Sequence, residues 1–176
     1  MLALGLAACD TAATSGSDDA AALPASDGCR AAEQQPLQEG SHLLGGALPP
    51  VPYSSVPPTS GWHNGGVGPA PGTYGEPLSE PDLVLWLEKG GIAVTYTPGL
   101  ADTQIRALAT LPSQVESVVV TPYETTMPTP IALVGWGWLQ RCQTVTAAEV
   151  QAFADAYAGV DRKSTRTDPS ALDGLG

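Results

Sequence analysis

The chain runs to 176 residues with 43% hydrophobic content, enough for one domain of ordinary size with a real core. Charge is sparse and one-sided: 14% of residues are charged, 18 acidic against 7 basic, for a formal net charge of −11. That balance argues against nucleic acid as a partner, because phosphate binding needs clustered Lys and Arg, and against electrostatic docking on anionic lipid.

The first ten residues read MLALGLAACD. An apolar run that closes on Leu6-Ala7-Ala8-Cys9 has the order of a bacterial lipoprotein signal: an apolar segment for the translocon, small residues for the peptidase, and a thiol to take the lipid. The eight residues before Cys9 carry no Lys or Arg, unlike the basic leader of a signal peptide, so either the start lies upstream or Cys9 is incidental. On the lipoprotein reading, residues 1–9 are signal and lipobox and Cys9 is the lipidation site. The protein is then exported and held at the cell envelope, on a periplasmic or extracytoplasmic face, with a membrane as partner through the lipid anchor. Nothing later in the chain is apolar for long enough to span a bilayer. Residues 10–28 lack aromatic and β-branched aliphatic side chains and read as a disordered tether.

Residues 29–40 are expected to hold a short helical turn before Pro36. Residues 41–78 are dense in Gly and Pro yet contain Tyr53, Trp62 and Tyr74, which marks them as a loop packed on a scaffold and a candidate ligand loop. Ser79 caps a helix with Pro81 in its first turn and Leu83, Val84 and Leu87 on one face. Gly90-Gly91 ends it. Residues 92–97 alternate as a half-buried strand. Asp102 caps a second helix with Ile105, Leu108 and Leu111 inward. Residues 115–121 and 131–139 are read as two further strands, antiparallel neighbours, with Trp136 and Trp138 pointing the same way as Val134. Thr146 to Glu149 is a capping box that opens a last helix, with Val150, Phe153, Ala154 and Tyr157 inward. The expected fold is α+β: a small three-stranded, mainly antiparallel sheet with about three helices on one face, preceded by the Gly/Pro-rich aromatic loop segment. It forms a single domain over residues 29–160, with a polar tail over 161–176.

If Cys9 is lipidated, the remaining pair, Cys29 and Cys142, is expected to form a disulfide in an oxidising compartment. The alternative is two unrelated thiols. Closing so long a loop would stabilise by roughly 4 to 5 kcal/mol on the chain-entropy model.

Ser41-His42, then PYSSVPPTSGWH (52–63), GTYGEPLSEPDLVLWLEKGGIAVTYTPG (72–99), PIALVGWG (130–137) and the FADAY helix resemble the bacterial family named domain of unknown function 3105. The resemblance covers residues 40 to 160 or so. It implies an exported or membrane-anchored protein with a His-rich metal or redox site. Where the family's helix reads close to LVHNLEHGG, this chain has LVLWLEKGG, so Leu85 and Lys89 replace the family's two His; a leucine cannot ligate and a protonated lysine repels a cation. The resemblance therefore implies a weakened site.

His42 and His63 are the only histidines. With Glu88 they form a workable two-His, one-carboxylate ligand set for copper or zinc. The competing reading makes His63 a loop histidine bonded to backbone. Met127 is a soft copper ligand or a gap filler. Asn64 to Gly68 does not follow a strand and open a helix, so it fails the context test for a phosphate loop. Ser60 has no nucleophile elbow, so no catalytic residue is named. The leading expectation is an uncharacterised, non-enzymatic binding or accessory module without a cofactor, its protein or small-molecule partner unidentified. The alternative is a metal-binding protein.

Overall fold

Residues 92–96 organise the molecule. Their alternation suggests a half-buried strand, but in the computed structural model, which describes residues 21–159, all five are buried. Both faces of the strand are covered, the situation in which strands lose an exposed side. The order along the chain is β1 (Glu33–Gln34), β2 (His42–Leu43), β3 (His63–Asn64), β4 (Gly72–Thr73), α1 (Glu80–Glu88), β5 (Ile92–Tyr96) and α2 (Asp102–Ala109). A single 3-10 turn (Leu111–Ser113) follows, then β6 (Val118–Pro122), β7 (Ile131–Gly135), β8 (Trp138–Cys142) and α3 (Ala147–Tyr157).

Six strands form one mixed sheet in the order β1-β8-β7-β5-β6-β4, and β2 and β3 pair apart from it. β5 and β6 run parallel, with Ile92 opposite Val118, so a crossover through α2 joins them. β5 runs antiparallel to β7, and β7 to β8. The edges are the two-residue strands β1 and β4, and short edges blunt the tendency of a sheet to recruit another chain.

Two cores lie on opposite faces of the sheet. On one, Leu83, Val84, Trp86 and Leu87 of α1 pack on Ala93, Val119, Ala132, Val134 and Leu139. On the other, Val150, Phe153, Ala154 and Tyr157 of α3 pack on Ile92, Val94, Val118, Val120, Ile131 and Leu133, joined by Leu108 of α2. Full burial of one such aliphatic or aromatic side chain stabilises by about 1.5–3 kcal/mol. Gly91 makes α1 fit: a Cβ there would lie 2.1 Å from the Trp86 ring, whose Nε1 donates to the Ile92 carbonyl at 2.9 Å.

The expected three-stranded, mainly antiparallel sheet with helices on one face is thus corrected to a six-stranded mixed sheet covered by helices on both. The strand pair read across 115–139 is not a pair of neighbours: β5 lies between β6 and β7. The single strand read over 131–139 is a hairpin, turned at Trp136-Gly137 with Gly137 at φ 72. Trp136 and Trp138 therefore part. Trp136 joins the α1 core, while Trp138 stacks on Tyr157 of α3 at 4.5 Å. Residues 29–40 hold the edge strand β1 rather than a helical turn, and Asp102 is the first residue of α2 rather than its cap. Ser79 and Thr146 cap α1 and α3 through their side chains, the latter with a full capping box.

Cys29 and Cys142 are joined by a disulfide, Cα to Cα 4.0 Å, within the α3 core. Residues 21–28, the end of the segment read as a tether, lie along α3: the Tyr157 hydroxyl accepts from Leu23 N at 2.9 Å and donates to the Ala21 carbonyl at 3.1 Å. The readings placed on Cys9, on residues 1–20 and on the tail over 161–176 fall outside the described residues. Among the described residues, no helix is long and apolar enough to cross a membrane.

Candidate functional site

One face of α1 carries Asp82, Leu85 and Glu88, spaced three residues apart, with the cap residue Lys89 four after Leu85, and the β2/β3 ribbon lies against it. Asn64 donates to Asp82 Oδ1 at 2.7 Å, and Asp82 Oδ2 accepts from the α1 cap residue Ser79 at 2.6 Å. The cap that starts the helix thus also fixes the ribbon. In the ribbon the strands are parallel, with His42 opposite His63 and Leu43 opposite Asn64.

His63 is 2% exposed. Its Nδ1 lies 2.8 Å from the Gly61 carbonyl. A carbonyl only accepts, so Nδ1 carries the proton and Nε2 of the neutral ring carries a lone pair. Nε2 stands 2.9 Å from Glu88 Oε1, with both side chains at most 5% exposed. A lone pair and a carboxylate oxygen that close repel each other unless a proton or a cation sits between them. The imidazole–carboxylate contact therefore defines a place for positive charge. His42 is exposed, and its ring stands edge-on to His63, centroids 5.0 Å apart at 86°. One ligand atom from each of His42, His63 and Glu88 falls within 4.8 Å of the others.

A tetrahedral zinc with bonds of about 2.1 Å spaces its ligand atoms by roughly 3.4 Å. With His63 Nε2 and Glu88 Oε1 2.9 Å apart and the three ligand atoms within 4.8 Å of one another, the side chains would hold such an ion only after adjusting their spacing. The Nδ1–H bond to Gly61 is the outer-sphere contact that commonly orients a ligating histidine. His63 is thus bonded to backbone through one nitrogen while its other nitrogen faces Glu88.

The other sequence candidates lie elsewhere. Tyr53 donates to the Trp62 carbonyl at 2.6 Å and Tyr74 to the Ala70 carbonyl at 2.7 Å, and both rings pack partly buried on the α1 core. Burial, then the nearby Glu80 and Asp82, push the Tyr53 phenol well above its ordinary range. Burial, then a hydrogen bond to Glu80, does the same for Tyr123. Both phenols stay neutral donors: Tyr53 ties the 41–78 segment to itself at Trp62, and Tyr123 ties the chain after β6 to Glu80 at the start of α1. Met127 lies on the sheet, its sulfur accepting from Thr95 at 3.7 Å. The two described cysteines are bonded to each other in the opposite core. The donors brought together are therefore nitrogen and oxygen, not sulfur.

Three contributors escape the sequence reading. The Gly61 carbonyl holds the His63 ring. Gly40 lets the chain pass so close to Gly61 that an added Cβ would lie 2.2 Å from its carbonyl carbon. The Asn64–Asp82 bond sets the ribbon on α1. Of these, Gly61 and Asn64 fall in stretches noted from the sequence for their glycines, but not for these contacts.

A family model described as protein of unknown function (DUF3105) matches residues 48–171, a span that takes in His63 and Glu88 and begins after His42. No curated protein and no solved structure matches the chain.

Proposed function

The chain belongs to the DUF3105 family of proteins of unknown function, and from that footing we propose that it is an exported, lipid-anchored envelope domain that binds one divalent transition-metal ion, Cu²⁺ or Zn²⁺, through His42, His63 and Glu88. The observation that carries the reading is the gathering of two imidazoles and a carboxylate with ligand atoms within 4.8 Å, one imidazole already oriented by a carbonyl. Borderline N and O donors suit Cu²⁺ and Zn²⁺ and disfavour Cu⁺, which prefers sulfur. The role is binding rather than turnover. The polar groups around the triad are engaged in structure: Asp82 with Asn64 and Ser79, Lys89 with the Gly66 carbonyl at 2.6 Å. Export is supported by the Leu6-Ala7-Ala8-Cys9 sequence and by the Cys29–Cys142 disulfide, which belongs to an oxidising compartment.

Protein purified without a His tag should take up one equivalent of Zn²⁺ or Cu²⁺ and melt at a higher temperature in its presence, since an ion bound only to the folded state stabilises it. His63→Ala should lose both effects. Uptake below about a tenth of an equivalent with no thermal shift removes the metal reading. For the anchor, Cys9→Ala should move the protein from the membrane fraction to the soluble fraction; an unacylated Cys9 in protein from its native host removes that part.

A further inference from the structure

We infer that Lys89 is a positioning residue of the proposed metal site, acting as a clasp that sets its affinity. The inference rests on the His42–His63–Glu88 reading. Lys89 follows Glu88 directly at the end of α1. Its ammonium donates to the Gly66 carbonyl at 2.6 Å and also to the Val67 carbonyl. The clasped segment leaves β3 just after His63 and Asn64, and within it Gly65 lies against the ring of His42, where an added Cβ would be 3.7 Å from Cγ. One side chain therefore ties the helix end that carries Glu88 to the loop that supports His42, with His63 on the strand between them.

The clasp contends with a force of opposite sign. An ammonium one residue from a ligand repels a bound cation, so its removal could tighten binding as well as loosen it. Lys89 is exposed, and water and salt screen its charge. Position is not screened. Two carbonyls hold the loop through this one group; Val67, which supplies one of them, has a side chain 90% exposed, so apart from Gly68 beside Leu85 the loop has little packing to keep it in place. Loss of the clasp should therefore outweigh relief of the repulsion.

The test is Zn²⁺ titration calorimetry on the wild type, Lys89→Met and Lys89→Arg, at low and at physiological ionic strength, with the visible spectrum of the Co²⁺ form as a reporter of geometry. Lys89→Met should bind about tenfold more weakly, the scale of lost outer-sphere support. Its Co²⁺ bands should shift, the deficit should persist at both ionic strengths, and apo stability should hold. Lys89→Arg, which keeps the donors, should recover most of the affinity and the bands. Wild-type binding with Lys89→Met equal or tighter overturns the clasp and leaves the metal reading in place. No Zn²⁺ binding by the wild type removes both.

Discussion

The two faces of the sheet are built on different principles. The α3 face is held by apolar packing and a covalent bond: Phe153, Tyr157 and Trp138 form a continuous aromatic contact, and the Cys29–Cys142 disulfide ties the incoming chain to β8. The α1 face has its apolar layer where α1 and the rings of Tyr53 and Tyr74 meet the sheet. Outside that layer it is fixed by single polar links, Asn64 to Asp82, Tyr53 to the Trp62 carbonyl and Lys89 to the Gly66 carbonyl, and it ends in loop residues such as Leu44 and Val67 that are more than 80% exposed. Segments with few buried apolar contacts open locally at lower free energy than the core. The difference teaches where function can sit: one face makes the fold endure, and the other gathers two imidazoles and a carboxylate where local adjustment would leave the core intact.

The largest break in that comparison is removal of the disulfide. Cys29→Ser combined with Cys142→Ser should cost about 2–5 kcal/mol, visible as a lower denaturant midpoint. Zn²⁺ affinity of the folded variant should be unchanged, because the bridge lies across the sheet from His63. A matching loss of affinity would mean that the faces are coupled. A smaller effect is expected from Gly40→Ala on the other face. Its methyl would meet backbone at Gly61 and Trp62, so the chain must shift, at a cost of about 1–3 kcal/mol typical of overpacking. Because Gly61 orients His63, metal affinity should fall more than global stability does. Hydrogen exchange should show earlier opening around residues 61–66, with the β5 and β7 amides unchanged.

The same contrast governs what was legible in the sequence. Ser79 and the Thr146–Glu149 box announce α1 and α3, because capping is local chemistry written in adjacent residues. The sheet was not legible. β5 looks half-buried because Ala93 and Thr95 read as a polar or small face, yet α1 covers Ala93, and Thr95 is buried with its hydroxyl on the Ala132 carbonyl at 3.2 Å. Nothing local says that β5 inserts between β6 and β7, since that order depends on partners far apart in sequence. Gly137, one of 20 glycines, did not declare itself as the turn that splits 131–139 into two strands. His42, His63 and Glu88 could be named from residue type, but their approach needs the parallel β2/β3 pairing, and two-residue strands leave no periodicity to read.

The smallest expected effect sharpens the comparison by pH. Burial acts to raise the Glu149 carboxyl, but hydrogen bonds from Ser26, Thr146 and Gly28 outweigh it and hold the carboxyl below its usual range. The one from Ser26 crosses from the segment that leads to the disulfide, and Thr146 gives two, its amide at 2.7 Å and its hydroxyl at 2.9 Å. A carboxyl whose folded value is depressed binds fewer protons in the folded state than in the unfolded state, so it stabilises fully above the ordinary glutamate value of about 4.3. That contribution fades as pH falls through the depressed value. Thr146→Ala should cost about 1 kcal/mol at neutral pH through the cap alone. Glu149→Gln should reduce neutral stability and flatten the loss below about pH 4. Acid titration followed by tryptophan fluorescence checks it, because the Trp138–Tyr157 stack abuts residues 21–28, which the Ser26 contact helps hold. An unchanged acid limb in Glu149→Gln would show that this carboxyl does not carry the acid sensitivity of the α3 face.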